Sequence, residues 1–569
     1  MGKLAFARAR TLRDVVLILV GATCMHLASN FLGFLPEQFT GDIIVSTHIN
    51  QHGDPMQALD EHPLVAARPP AVKIPKLNPD APPKQHAVQP LTFPSSADLS
   101  FYLPETTIDA HAPGWTVFRN LYMSNGTLFI VSSQPPSSFP HINLITSTGL
   151  AALNTPENIA ARIPTAEDMD FITPQQALDR WGPVQPQTRN RVWTVAGNTW
   201  LINDPSQFLD HYYHFCAELL VGAWAFWSGA HDAGIDSSSP DVTTAPPVHR
   251  AIFAHAEASG WRDRPGFNSW FFRAAFPSLS VEVQQDWQDR IASTAAPGKL
   301  SRAWHFERVL FADRSAAFRG EVCGAVNQRT AAEAYHHMQR AGNLTKWWWE
   351  PVRRSVLRFG GVTDKDLDIP VLAEAEAMSR VAPKPGDVAV NGQRRQKVVV
   401  TYISRQGARR HLIDEDHAAL VVALDEMCAL GGWELNVVQA EKLSKEEQVT
   451  LMARTTILLG VHGNGLTHLI LLPPTPISTV IEIFYPGGFA HDYEWTTRAM
   501  GMKHFAVRND TWASHPRTPV VAYPEGFQGT QIPVHAPTIV KIIEDRVAGK
   551  LPNSEFLARV ERMPPDARP

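Results

Sequence analysis

Ile457-Leu-Leu-Gly-Val-His-Gly-Asn-Gly-Leu-Thr-His468 reads as an apolar strand that runs into a glycine turn and then directly into a helix. The run from Thr456 to Val461 has strand length and carries no charge, as a strand buried on both faces requires. Gly463 and Gly465 let the backbone turn tightly and approach a ligand. A short helix is expected over Gly465 to Leu472. The N–H groups of Gly465, Leu466 and Thr467 would then face a crevice with the positive end of the helix dipole, which suits a diphosphate. The spacing is not the Gly-x-Gly-x-x-Gly of dinucleotide enzymes, so a nicotinamide cofactor is not indicated. A tight turn without any ligand is the plain alternative.

The flanking sequence repeats the strand-to-helix pattern. Lys397 to Ile403 is an apolar, β-branched run of strand length. Asp414 is placed to cap a helix to Leu430, with Leu420, Leu424 and Met427 on one face and Gly431 past its end. Trp433 to Val438 reads as a second strand. Ser444 and Glu447 form a capping box for a helix to Arg454. Thr479 to Phe484 reads as a fourth strand. Alternation with short connections predicts a parallel sheet covered on both faces, a Rossmann-like domain whose ligands sit at the strands' carboxyl ends. Arg405 follows the first strand and would stand at that end, where a guanidinium grips phosphate oxygens. Arg409 and Arg410 read as surface charges. Glu482 lies inside an apolar strand and needs a partner: a ribose hydroxyl pair or a structural Arg.

Upstream, Ala382 to Gln396 carries Pro, Gly and charge without periodicity and marks a domain boundary. Before it the reading is mixed α and β. Gln207 to Trp227 and Thr330 to Arg340 read as helices. On the first of these, His214 and Glu218 are four residues apart and share a face, with His211 one turn earlier. Trp347-Trp-Trp349 reads as core rather than as a platform for a sugar. The several Asp-x-Asp pairs do not follow apolar strands in the manner of a metal-diphosphate site.

The chain's 569 residues include 44% hydrophobic residues and a net charge of −5. That supports a sizeable core and argues against a nucleic-acid binder. Four cysteines are too few for a disulfide scaffold. The N-terminus has Lys3, Arg8, Arg10 and Arg13 before an apolar stretch, Val15 to Leu35, the pattern of a signal anchor or a cleaved signal. A Pro-rich stretch follows and would act as an extended stem. Three sequons, at Asn125, Asn343 and Asn509, agree with a lumenal chain. The expected organisation is a tail (1–14), an anchor (15–35), a stem (36–98), a first domain (99–390) and a second domain (391–569) with a C-terminal return helix.

The segment from Val398 to Pro474 resembles the catalytic domain of glycosyltransferase family 61. The matching pieces are Tyr402-Ile-Ser-Arg405, Leu443-Ser444 with Gln448, Gly460-Val-His-Gly-Asn-Gly-Leu-Thr467, and Leu471-Leu-Pro-Pro474. Asp210-His-Tyr-Tyr-His-Phe-Cys-Ala-Glu218 is similar to the family's tyrosine–histidine–phenylalanine motif. The family usually has Ala where Asn464 stands and Asn where His468 stands. The resemblance implies an α/β fold of GT-B type, with two Rossmann-like domains facing a cleft. It also implies inverting transfer of a sugar, xylose or N-acetylglucosamine, from a UDP-sugar to a glycan or glycoprotein hydroxyl. On that reading Arg405, His462, Gly463, Asn464, Gly465, Leu466, Thr467 and Glu482 bind the donor. His214 or Glu218 is the base, His211 and Tyr213 lie on the acceptor side, and neither a cofactor nor a metal is required. The location would be the Golgi or ER membrane, type II, anchored through residues 15–35. The rival reading is an inactive lumenal glycan-binding protein.

Overall fold

The computed structural model describes residues 102–231, 243–296, 300–318, 329–345, 347–367, 398–529 and 531–551. The expected tail, anchor, stem and the boundary at 382–396 lie outside these residues. All described residues fall in one unit, Phe93–Pro569. Among them no helix is long and apolar enough to cross a membrane.

The second half matches its sequence pattern closely. Strands β9 (Val399–Ile403), β10 (Glu434–Val438), β11 (Ile457–Val461), β12 (Thr479–Ile483) and β13 (Lys503–Arg508) pair in parallel in the order β10-β9-β11-β12-β13. A short β14 (Thr511–Ala513) closes the edge antiparallel to β13. The strand order reverses between β9 and β11, so the crevice at their carboxyl ends is the natural ligand position of such a sheet. Ser444 and Glu447 form the expected capping box of the helix Lys445–Arg454. The helix Asp414–Gly431 runs one residue further than expected, because Gly432, at φ 64°, takes the left-handed closing position. Asp414 is its first helical residue, while Ile413 occupies the cap.

The first half is built on an eight-stranded mixed sheet. Strands β5 (Val192–Pro205), β6 (Arg250–His255), β7 (Ser280–Glu282) and β8 (Ala303–Ala312) are parallel, in the order β8-β5-β6-β7. β1 (Thr107–Ala112), β2 (Trp115–Ser124), β3 (Thr127–Val131) and β4 (Met169–Ile172) extend it, and β2 runs antiparallel to β1, β3 and β8. β3 and β4 pair in parallel, so the all-parallel pattern of a Rossmann-like sheet is interrupted here by β2 alone. The β2–β3 hairpin turns at Asn125-Gly126, both with positive φ, and could not form a crossover.

A continuous apolar layer lies between the two sheets. It takes Trp200, Phe215 and Trp224 from the first half and Leu458, Leu466 and Val480 from the second. Trp348 and Trp349 belong to it, and Trp349 Nε1 donates to the Ile470 carbonyl at 2.8 Å, so this cluster is core. The alternating residues Val400, Leu459, Ile481 and Phe505 face the opposite side and pack with the helices Asp414–Gly431 and Ala536–Val547. Period-two alternation thus sends Glu482 and His504 to the inter-sheet side, where the site lies.

Candidate functional site

On the first half, the site is carried by a π-helical turn, Tyr213–Leu220, which continues as the α-helix Val221–His231. Sequence periodicity led to one straight helix, whereas the widened turn is a form common at functional sites. His214 Nδ1 lies 2.6 Å from Glu218 Oε2. Glu218 is 1% exposed and also pairs with Arg314 Nη1. Arg314 Nε reaches Asp204 at 3.2 Å, its backbone N–H donates to the same carboxylate at 2.8 Å, and its guanidinium lies 4.4 Å from the Phe208 ring centre. Asp204 and Arg314 each stand two residues past the paired Ile202 and Ala312, at the carboxyl ends of adjacent parallel strands. Burial pushes the Glu218 carboxyl up, but Arg314 and His214 outweigh it and hold the group below the usual carboxylate range. Glu218 is therefore a sealed, ionised carboxylate with one oxygen committed to His214 and Arg314. His211 is exposed, its ring centre 4.9 Å from that of His214. Tyr213 is buried, with its ring centre 5.0 Å from that of Tyr493.

On the second half, Arg405 Nη1 donates to the His462 carbonyl at 3.2 Å, directly beside the glycine turn. Gly463 has φ 152° and ψ 176°, a conformation suited to glycine. A Cβ there would stand 1.5 Å from Arg405 Nη1. Gly463→Ala is accordingly expected to displace Arg405 and weaken diphosphate binding about as much as Arg405→Ala. That is about ten- to a hundredfold, for the loss of one charge-assisted contact of roughly 1.5–3 kcal/mol. Calorimetric titration with UDP checks both; unchanged affinity in folded Arg405→Ala would remove this side chain from the site.

The short helix expected over Gly465 to Leu472 is a 3-10 helix, Asn464–Leu471. The Leu466 N–H is spent on the Gly463 carbonyl at 2.9 Å, and Leu466 and Thr467 have buried side chains. Asn464 Oδ1 accepts from the Tyr213 N–H at 3.2 Å and from Thr467 Oγ1 at 3.3 Å, joining the two halves. His468 is buried between Tyr212 OH, at 3.2 Å, and Gln448 Oε1, at 2.8 Å. At this departure from the usual family residue, the imidazole fastens the halves together. Among the described residues Glu482 has no Arg bound to it. It is fully buried and bridges His462 Nδ1 and His504 Nε2, the latter at 2.7 Å.

Four site residues escaped sequence reading: Asp204, Arg314, Arg410 and His504. Arg410 is half-buried rather than a surface charge, and its Nε and Nη1 are sealed without a protein partner. Its charge bears on Arg405, Tyr493 and Glu482. The charges of Arg405 and Arg410 both bear on His462, the residue that leads into the glycine turn. Strand alternation would have found His504 had β13 been recognised; nothing local to the sequence marks the other three. Asn125 and Asn509 are exposed at hairpin tips, and Asn343 is half-buried. Cys216 and Cys428 are buried free thiols.

Residues 212–481 match the family described as Glycosyltransferase 61. The matched segment, just under half of the chain, holds His214, Glu218, Arg314, Arg405, Arg410 and the glycine turn, and it ends one residue before Glu482. The chain is also similar to the EGF domain-specific O-linked N-acetylglucosamine transferase of Drosophila melanogaster, with 37% identity over 78 residues. That stretch covers 14% of this chain and 14% of the relative.

Proposed function

We propose that the protein is an inverting glycosyltransferase that moves a sugar from a UDP donor to a glycan or glycoprotein hydroxyl, working as a GT-B enzyme. One observation carries the reading. A carboxylate-oriented histidine, His214, stands on one half, and two guanidiniums beside a glycine turn stand on the other, with the two halves joined by direct hydrogen bonds. The donor diphosphate would lie between Arg405, Arg410 and the turn at Gly463–Gly465. Two positive charges there neutralise a diphosphate without help from a metal. His214, with Nδ1 committed to Glu218, would present Nε2 to the acceptor hydroxyl and take its proton as oxygen attacks the anomeric carbon from the face opposite the leaving diphosphate. Glu218 orients the imidazole and stabilises it once charged, and Arg314 keeps that carboxylate ionised. N-acetylglucosamine is the favoured sugar, as it is the one named for the similar Drosophila enzyme; xylose is the other sugar indicated by the family resemblance. The segment 15–35 would anchor the chain in the Golgi or ER membrane with residues beyond it in the lumen, where Asn125, Asn343 and Asn509 are available to glycosylation.

The test is UDP release from UDP-N-acetylglucosamine and UDP-xylose with a panel of glycoprotein acceptors. Acceptor-dependent release from either donor supports the proposal. Binding of glycans with no release from any UDP-sugar would favour the inactive, glycan-binding alternative.

A further inference from the structure

His462, Glu482 and His504 form a buried chain on one face of the second sheet. Glu482 is fully enclosed, and among the described residues its ion-pair partners are the two imidazoles, with no Lys or Arg bound to it. Its neighbours are Arg410 from the loop after β9 and Asp492 and Glu494 from the helix Asp492–Ala499; Arg405 and Arg410 bear on His462. Glu494 is itself occupied by Arg498, at 3.0 Å, and His491. Phe484, Tyr493 and Phe527 surround the His462 ring, with centres 5.2–5.6 Å away.

The protons in this chain can be placed by elimination. His504 Nδ1 is sealed with no partner. A buried N–H without an acceptor costs more than a buried lone pair, so the His504 proton sits on Nε2 and is donated to Glu482 Oε2. Oε1 then faces His462 Nδ1. If Glu482 is ionised, His462 carries its proton on Nδ1 and turns a lone pair outward. If Glu482 is protonated, its O–H donates to Nδ1, and His462 carries its proton on Nε2. An isolated carboxylate, enclosed and without a cation bound to it, favours the protonated form. Burial, reinforced by Asp492 and Glu494, pushes the Glu482 carboxyl well up, and burial with the two arginines pushes His462 well down.

The geometry points to Glu482 as a buried protonated carboxylic acid that fixes His462 in the Nε2–H tautomer, so that His462 donates a hydrogen bond to the donor's diphosphate. Nδ1 is already taken and the ring keeps 11% of its surface open, on the residue that leads into the glycine turn and whose carbonyl holds Arg405. No proton has to leave the pair. The hydrogen bond strengthens as charge builds on the leaving phosphate, while a lone pair in its place would repel that charge. His462 touches the donor in this scheme; Glu482 and His504 are positioning residues. The inference rests on the UDP-donor reading.

Glu482→Gln tests it, because an amide reproduces the acid: its N–H donates to His462 Nδ1 and its oxygen accepts from His504. UDP-N-acetylglucosamine and UDP-xylose, whose diphosphates do not titrate near neutrality, are the probes for calorimetry at pH 7 without acceptor. Glu482→Gln is expected to retain donor affinity within about threefold, and His462→Ala to lose about tenfold, the equivalent of one hydrogen bond to charge. Equal losses in the two variants would overturn the inference. Should Glu482→Gln not fold, the 15N spectrum of histidine-labelled wild-type protein decides, with the His462 signal assigned by its loss in His462→Ala. Protonation at Nε2 supports the inference, and protonation at Nδ1 overturns it. If neither donor binds wild-type protein, the donor reading fails and this inference with it; if a donor binds and the tautomer is Nδ1–H, only this inference fails.

Discussion

His214→Ala is expected to reduce sugar transfer by about 10²–10⁴-fold, the usual range for removal of a general base. Donor binding should persist, since Arg405, Arg410 and the glycine turn stand on the other half. The effect should fall on kcat and kcat/KM alike, because the proton is taken only in the transition state. Glu218→Gln offers a contrast. The amide still holds the His214 ring but loses the charge that stabilises the imidazolium, so a smaller loss of transfer is expected. Transfer near the wild-type rate in folded His214→Ala would show that the pair only packs the π-helical turn. Steady-state kinetics at saturating donor distinguishes these outcomes.

Arg314→Met is expected to destabilise the fold by about 3–5 kcal/mol, because it leaves Asp204 and Glu218 buried without their cation. Both carboxylates are 1% exposed and the guanidinium is 1% exposed, so water offers little relief. Chemical denaturation of wild type and variant at pH 7 measures it. The same network has a pH signature. The folded-state pKa of Glu218 is depressed, so its contribution to stability is present above the unfolded carboxylate pKa of about 4.3 and is lost as pH falls through the folded value. Glu494, held down to about 2 against the effect of burial by His491 and Arg498, behaves the same way. Acid unfolding should therefore steepen below about pH 4, and Glu218→Gln should blunt that dependence.

Most of the second sheet was legible because its elements carry local signals. β9, β11 and β12 are uninterrupted apolar runs, and Ser444 with Glu447 announces its helix. β13 and the order of the strands were not read, because Lys503 and His504 interrupt the apolar pattern and order is set by packing. Donor-side side chains were less legible. Leu466 and Thr467 fall in the right loop, but their orientation is set by the inter-sheet core, which no local pattern encodes. Glu482 was recognisable as a carboxylate in need of a partner. The partner proved to be His462 together with His504, a residue of the next strand. Arg314 and Asp204 come together only because β5 and β8 are parallel neighbours, although more than a hundred residues separate them. Arg410 resembled a surface charge because Arg409 and Arg410 are adjacent in an unpatterned loop; only the fold turns the second of them inward. The π-helical turn was hidden too, since His214 and Glu218 share a face in either helical form.

On the proposed function, one crevice, at the carboxyl ends of β9 and β11, holds the donor diphosphate opposite His214. A crystal structure of the protein with UDP bound tests this most directly. Phosphate oxygens are expected within hydrogen-bond distance of both Arg405 and Arg410 and of the backbone at Gly463–Gly465, on the side of the crevice that faces His214. UDP bound elsewhere on the molecule, or in this crevice with neither guanidinium touching phosphate, would contradict it.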